Sequence, residues 1–313
     1  MMAMLKVILL LVTLGMNIFT SWNVNGLRNV NKLQNVFQHL QGLNANVICL
    51  QETFWDDAFI QKYQHLWRGK IHHNNDNQSQ RRGVAILVND KFQYNVYDIR
   101  KCEEGRIIAL SFDVNDVTYN VVNVYFPNDL NHRLFLYEKV KTYLKQGCEN
   151  IIGADFNEII DKHLDCAQGM SSFSKKGSDA LKCLFTDENL IDILRYRNPN
   201  TCIYTRTQFV ENTLKQSRID FFAISRSLIS QVSNTYVSYS NYSDHNPVFL
   251  KLDLANVERG KGLWIINNNL FKDSIYCTQV NDLIMSDIDC PLFEEDPLLW
   301  WDNLKFKIKR FSV

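Results

Sequence analysis

The apolar positions of this chain change period several times between Met16 and Asp253, and each change marks an element. "NIFTSWNV" sets Ile18, Thr20 and Trp22 against Phe19, Ser21 and Asn23, the alternation of a strand. "NKLQNVFQHLQGL" then lays Leu33, Val36, Phe37 and Leu40 on one helical face, with Gly42 near its end. "NVICLQE", "GVAILVN" and "NIIGADF" are short and almost wholly apolar, which predicts strands covered on both sides. "RIIALSFDV" and "VTYNVVNVYF" flank Asn115-Asp116 and predict a hairpin. "FLYEKVKTYLKQG" predicts a helix ending at glycine, and "SDALKCLFTDENLIDIL" another with Ser178 as its N-cap. "CIYTRT", "SRIDFFAIS" and "HNPVFLKLDL" complete the strand set. Strands alternating with helices predict one α/β domain over residues 16–253.

The two ends have a different texture. "ANVERGKGLW" is polar and contains glycine, as a linker does, and residues 254–313 read as a linker-like tail. Its last part, "PLLWWDNLKFKIKRFSV", predicts a short helical region with a basic end and exposed tryptophans. Residues 1–15 form an apolar extension. Lys6 precedes the run Val7 to Leu14, and Thr13-x-Gly15 offers small residues near a cleavage point, the outline of a secretory signal. No stretch reaches the roughly 20 apolar residues that span a bilayer, so no membrane partner is expected.

Composition narrows the picture modestly. Lys plus Arg and Asp plus Glu each number 34 in 313 residues, so no net field advertises a polyanion. Local pairs (Arg81-Arg82, Arg100-Lys101, Lys175-Lys176) are either contacts for one or plain solvated surface. The eight cysteines show no C-x-x-C spacing, which argues against a structural zinc site. Cys49 lies inside an apolar run and reads as a core thiol. The pattern suits a reducing compartment, although the even count leaves disulfides open.

The informative feature is where the strands end. "SWNVNG", "CLQET", "VYFPN", "GADFNE", "SRID" and "YSDHNP" each place Asn, Asp, Glu, Tyr or His at or just beyond an apolar run. One such residue is usually a turn former. A whole set of one chemical kind suggests strands aiming side chains at a shared point. Glu52 and Asp244 are hard oxygen donors suited to Mg²⁺, and Asn23 adds a neutral oxygen. Such an ion acts as a Lewis acid on a phosphoryl oxygen. His245 is the natural proton handler or phosphate contact, with Asp220 to hold its tautomer. Asp155 with Asn157 can position or deprotonate a water. Tyr125 and Asn128 are neutral donors for phosphate oxygens. Signatures of a cysteine or serine nucleophile and of a glycine-rich nucleotide loop are absent. The set is one for phosphodiester hydrolysis.

The ordered motifs "WNVNGLR", "ICLQET", "GVAILV", "VYFPN", "GADFNE", "SRIDFFAIS" and "YSDHNPVFLKL" resemble the endonuclease/exonuclease/phosphatase superfamily. Within it they resemble the apurinic-type endonuclease domains of non-LTR (long interspersed element) retrotransposons, and they are similar to exonuclease III-type abasic-site endonucleases. The resemblance implies a four-layer α/β sandwich, two packed sheets flanked by helices. It implies metal positions at Asn23, Glu52 and Asp244, holding Mg²⁺ or Mn²⁺. Asp155 matches the aspartate that activates water or protonates the leaving group, with Asn157 beside it. Tyr125 and Asn128 match phosphate contacts, and Asp220 and His245 the Asp-His pair, with Ser243 adjoining. Thr205 matches a threonine near the DNA-binding surface.

The implied activity is a metal-dependent DNA endonuclease that nicks one strand and leaves a 3′-hydroxyl, acting as a monomer on DNA with no cofactor beyond the metal. A secreted DNase, a phosphatase of the same fold and an inactive remnant that only binds nucleic acid are the alternatives. "GLWIINNNLFKD" and "WWDNLKFKIKRFS" resemble the segment that precedes a retroelement reverse transcriptase. That context implies a nuclear or cytoplasmic protein, or a secreted one if residues 1–15 act as a signal. Three positions depart from the pattern. Asn25 stands where many cellular abasic-site enzymes have Asp, Arg206 where the family often has an aromatic, and Cys166 where a retroelement "LDR" motif has Arg.

Overall fold

The structure, a computed structural model, describes residues 16–76, 82–167, 173–211, 213–254, 268–288 and 290–312. The apolar run at 1–15, Arg81 and the linker stretch at 255–264 lie outside the described residues. Two compact units emerge, one from residues 16–254 and one from residues 268–312.

In the larger unit the chain opens with β1 (Met16–Asn23), α1 (Val30–Gly42) and β2 (Val47–Gln51), followed by α2 (Asp57–Tyr63), β3 (Gly69–Asn74) and β4 (Val84–Asn89). Next come β5 (Val96–Lys101), β6 (Ile107–Val114), β7 (Val117–Tyr125), α3 (Leu130–Lys141) and β8 (Glu149–Asp155). The rest is α4 (Lys175–Asp187), β9 (Leu190–Asp192), α5 (Ile193–Arg197), β10 (Arg206–Val210), β11 (Thr213–Ser217), β12 (Asp220–Ser225), β13 (Val232–Val237) and β14 (Val248–Asp253).

These strands build two six-stranded mixed sheets, ordered β13-β14-β1-β2-β4-β3 and β5-β6-β7-β8-β12-β9, and a separate β10-β11 ribbon. Each large sheet holds one parallel pair joined through a helix: β1 and β2 by way of α1, β7 and β8 by way of α3. Between the sheets lies a core that includes Phe19, Val47, Val84, Leu110, Val121 and Phe222. The outer face of the first sheet buries Trp22, Ile48 and Leu50 against Leu33, Val36, Phe37 and Leu40 of α1. Each of those four α1 side chains contributes roughly 1.5–3 kcal/mol of burial. The outer face of the second sheet packs Val122, Ile152 and Phe221 against Leu136, Tyr137 and Val140 of α3 and Leu181 and Leu184 of α4. The result is the four-layer α/β sandwich.

One polar connection crosses the middle layer. Gln51 Nε2 donates to Asn123 Oδ1 at 2.8 Å and to Ser21 Oγ at 3.0 Å. Asn123 Nδ2 in turn donates to the carbonyls of Leu50 and Ala85 on the opposite sheet. All five residues are buried, so each bond replaces a hydration that is gone. The connection pins the two sheets together one residue behind Glu52.

Several local expectations are corrected. Ser174, rather than Ser178, caps α4 by accepting from the Gly177 N–H, while the buried Ser178 donates to the carbonyl of Ile160. That helix ends at Asp187 because Asn189 turns the chain at φ +51°, and Leu190–Asp192 then pairs as an edge strand on β12. The helix expected over 135–147 spans Leu130–Lys141, since Asp129 caps it by accepting from the His132 N–H. In the smaller unit, built from α6 (Ser274–Ile288), α7 (Leu292–Glu295) and α8 (Pro297–Phe311), Trp300 is buried rather than exposed. Its ring meets Phe293 edge-on at 4.6 Å and its Nε1 donates to the Asp287 carbonyl. All eight cysteines are free thiols, and burial pushes that of Cys49 far up. No described helix is long and apolar enough to cross a membrane.

Candidate active site

Both parallel pairs end at the same rim of the sandwich. The register sets Asn23 opposite Gln51 in the first sheet and Tyr125 opposite Asp155 in the second, with Asp220 on the other side of Asp155. Strand ends from two sheets therefore aim their terminal side chains at one another.

Backbone geometry sharpens the aim. Beyond β1 and β2 the pairing continues through Val24 N to Gln51 O, Gly26 N to Glu52 O and Leu27 N to Thr53 O. Glu52 adopts φ +52° and Asn25 φ +45°, left-handed values that are unfavourable for a side chain such as that of glutamate. Gly26, at φ +81°, must be glycine, because a Cβ there would come within 2.7 Å of the Phe54 ring. Lys32 holds this loop from α1 by donating Nζ to the carbonyls of Val24 and Asn25.

Asn23 is the hub. Its Nδ2 donates to Glu52 Oε1 and to Asp155 Oδ2, both at 2.9 Å, and its Oδ1 accepts from the Asn25 N–H at 3.0 Å. The Asn157 N–H donates to Asp155 Oδ1 at 2.9 Å, and its side chain donates to the Phe126 carbonyl. Asp155 is buried. Burial, followed by the nearby Asp220 charge, raises its carboxyl to about 7, although His245 and Asn23 oppose the shift. Tyr125 lies beside Glu52. Burial and the Glu52 carboxylate that its hydroxyl meets push its phenol far up, so it stays protonated.

His245 and Asp220 form a buried pair, with Nδ1 donating to the carboxylate at 2.9–3.0 Å. Burial works against a charged imidazole, but Asp220, then Asp155 and Asp244, outweigh it and raise His245 to about 9. Thr205 Oγ1 donates to Asp220 Oδ2 at 2.7 Å and accepts from the N–H groups of Ile219 and Asp220. The Ser243 hydroxyl donates to the Asn23 carbonyl and accepts from the His245 N–H. Asp244 stands slightly apart, with Asn25 Nδ2 on one oxygen at 3.0 Å and Arg206 Nε on the other at 3.3 Å.

Of the residues singled out in the sequence, Asn23, Glu52, Tyr125, Asp155, Asn157, Thr205, Asp220, Ser243 and His245 are joined by these contacts, and Asp244 is reached through Asn25. Asn128 is exposed just before α3 and has no side-chain bond to the cluster. Three supporting residues went unread. Trp22 Nε1 donates to the His245 carbonyl at 2.9 Å. The Arg106 guanidinium lies over the Tyr125 ring at 5.0 Å. Arg133 donates to the carbonyls of Pro127 and Asn128 and pairs with the buried Glu158. Arg133 was visible in principle, because it falls on the same helical face as Leu136, Tyr137 and Val140. A charge in an apolar stripe calls for a buried partner.

The chemistry of the donors decides which of them suit a cation. Ligand atoms of Asp155, Asp220 and His245 lie within 4.8 Å of one another. Yet Asp220 is committed to His245 and Thr205, and an imidazole held in its charged form does not ligate. That trio suits proton handling. Glu52 offers hard carboxylate oxygens, with the Asn23 amide and the Asp155 carboxylate beside it, and among the described residues no Lys or Arg pairs with either carboxylate. This second set fits an oxygen-seeking divalent ion such as Mg²⁺.

Comparison with known proteins agrees with this geometry. Residues 20–245 match the Endonuclease/Exonuclease/phosphatase family. The chain is 29% identical over 265 residues to the transposon TX1 uncharacterized 149 kDa protein of Xenopus laevis, covering 83% of this chain and 20% of that protein. It thus spans about a fifth of that relative's length. It is 27% identical over 259 residues to an exodeoxyribonuclease of Bacillus subtilis (strain 168), covering 75% of this chain and 98% of the relative. The fold is similar to that of the AP endonuclease LMAP from Leishmania major, with a TM-score of 0.66 at 17% identity over 76% of this chain and 88% of that one. With a match reaching from β1 to His245, the chain belongs to the endonuclease/exonuclease/phosphatase family.

Proposed function

We propose that the protein is a Mg²⁺-dependent DNA endonuclease that nicks one strand and leaves a 3′-hydroxyl. The observation that carries this reading is the meeting, at one rim, of the buried Asp155, the Asp220–His245 pair and the Glu52 carboxylate held beside the Asn23 amide. The transposon relative supports a role in a mobile element, where a nick supplies a primer end.

Asp155, with a carboxyl near neutral, takes a proton from a water aimed at the phosphorus. Asn157 and Asn23 hold it in place for that transfer. His245 is charged at neutral pH, and with Nδ1 bound to Asp220 it presents Nε2–H to a phosphate oxygen as charge develops. The Tyr125 hydroxyl stays protonated and donates to the same group. Glu52, beside the Asn23 amide, would hold Mg²⁺, or Mn²⁺ in its place, and when bound the ion would supply Lewis-acid stabilisation of the departing oxyanion.

The test is nicking of supercoiled plasmid by the purified chain, with Mg²⁺ or EDTA, followed by polymerase extension of the nick. Nicking that needs Mg²⁺, yields extendable ends and falls about 10²–10⁴-fold in Asp155→Asn and His245→Ala is the expected result. Equal activity in wild type and both variants would overturn the assignment.

A further inference from the structure

A rim that carries Glu52, Asp155, Asp220 and Asp244 repels phosphate, and beyond His245 few cations are free to offset that charge. The basic side chains bordering the site are mostly engaged. Arg28 bonds the Phe54 carbonyl and pairs with Asp56. Arg106 is buried against Tyr125, Arg133 is paired with Glu158, and Arg218 lies buried between Asp165 and Asp192. Lys32 is bonded to loop carbonyls.

Arg206 differs from all of these. Its backbone is stitched to the Asp244–His245 segment, because Thr207 N donates to the Asp244 carbonyl at 2.9 Å and Asn246 N to the Thr205 carbonyl at 2.6 Å. Arg206 itself bridges to His245. Only Nε is engaged, on Asp244 Oδ2 at 3.3 Å, and among the described residues neither Nη has a partner. Four of the five guanidinium N–H donors are therefore unused, on a side chain 32% exposed to solvent. A partly exposed pair of this length adds little to folding, so stability does not account for its place. Anchoring at Nε leaves a fixed fork, the geometry that matches phosphate.

We propose that Arg206 binds a phosphate of the DNA strand at the rim of the site while its Nε balances the charge of Asp244. The inference rests on the nuclease reading above and adds a substrate contact to it. Lysine in its place keeps the charge but loses the fork, whereas glutamine loses both the charge and the hold on Asp244.

The experiment measures binding of a fluorescent DNA duplex to the full chain in EDTA over a series of salt concentrations, for wild type, Arg206→Gln and Arg206→Lys. The slope of log K against log salt should fall in magnitude by about 0.9 in Arg206→Gln, the loss of one phosphate contact. Arg206→Lys should keep the slope while binding more weakly at every salt concentration. A slope unchanged in Arg206→Gln overturns the proposal. A wild type that shows no salt-dependent DNA binding overturns the nuclease reading instead, so the two failures are distinct.

Discussion

The indole Nε1 of Trp22 donates to the backbone carbonyl of His245 at 2.9 Å, joining residues 223 apart in the chain. β1 therefore delivers Asn23 to the site and, one residue earlier, fixes the backbone of the histidine facing it. Trp22 is fully buried, so no water can replace the lost donor. Trp22→Phe keeps an aromatic in the outer core but leaves a buried carbonyl unsatisfied, at a cost of about 1–3 kcal/mol. We expect a lower urea midpoint with an unchanged m-value, and a fall in kcat larger than any change in KM. An unaltered midpoint would show that the bond has no bearing on stability.

Gly177 makes the complementary case for space. A Cβ on it would lie 1.8 Å from Glu158 Oε2, the oxygen that Arg133 holds. Arg133 in turn grips the Pro127 and Asn128 carbonyls, so the pair connects α3 to the two loops that follow Tyr125 and Asp155. Gly177→Ala must displace a buried carboxylate. The expected result is about 1–3 kcal/mol of destabilisation from overpacking, seen in the melting temperature, together with reduced nicking. A variant as stable and active as wild type would show that Glu158 moves aside freely.

Periodicity anticipates the elements that bury one clean face. Leu33, Val36, Phe37 and Leu40 are the buried residues of α1, and Asn115, at φ +53°, turns the β6–β7 hairpin. The polar residues at strand ends meet because parallel pairs in both sheets end at one rim. Edge strands were harder to see. β3 and β5 are covered only in part, so neither "GKIHHN" nor "VYDIRK" carries an apolar run. The end of α4 was missed for another reason: "LIDIL" continues a helical spacing, and Asn189 breaks it through a backbone angle that composition does not display. The embrace of Asp244 by Asn25 and Arg206 is a tertiary fact, joining three segments that no spacing relates.

Arg106 and Tyr125 are tied twice through the backbone. The Tyr125 N–H donates to the Arg106 carbonyl at 2.9 Å, and Arg106 Nη1 donates to the Tyr125 carbonyl at 3.2 Å, while the guanidinium covers the ring. Arg106 thus acts as a positioning residue for a hydroxyl that meets Glu52. Arg106→Met removes the charge and keeps most of the stem. Roughly tenfold lower kcat, equivalent to about 1.4 kcal/mol, is expected with KM little changed. A rise in KM at constant kcat would show instead that Arg106 contacts substrate directly.

Beneath the β10–β11 ribbon, Asp165 is fully buried and accepts from Arg218 Nε at 2.7 Å, Arg218 Nη2 at 3.1 Å and Arg195 Nη2 at 2.5 Å. Arg218 Nη1 reaches Asp192 at 2.7 Å. Burial alone raises the Asp165 carboxyl, but Arg218, with the Asp161 N–H and Arg195, outweighs it and holds the group below the ordinary carboxylate value. An unfolded aspartate titrates near 3.9, so below about pH 4 the unfolded chain takes up this proton before the folded one does. The stabilisation is therefore complete above about pH 4 and is lost as pH falls through the folded value. Asp165→Asn leaves Arg218 buried with one partner uncharged, a loss of about 3–5 kcal/mol at neutral pH. Urea unfolding of both proteins from neutral pH to about pH 3 separates this group from other carboxylates, because only the difference between the curves belongs to Asp165. That difference should narrow as the solution becomes acidic. A constant gap would mean that Asp165 acts through packing alone.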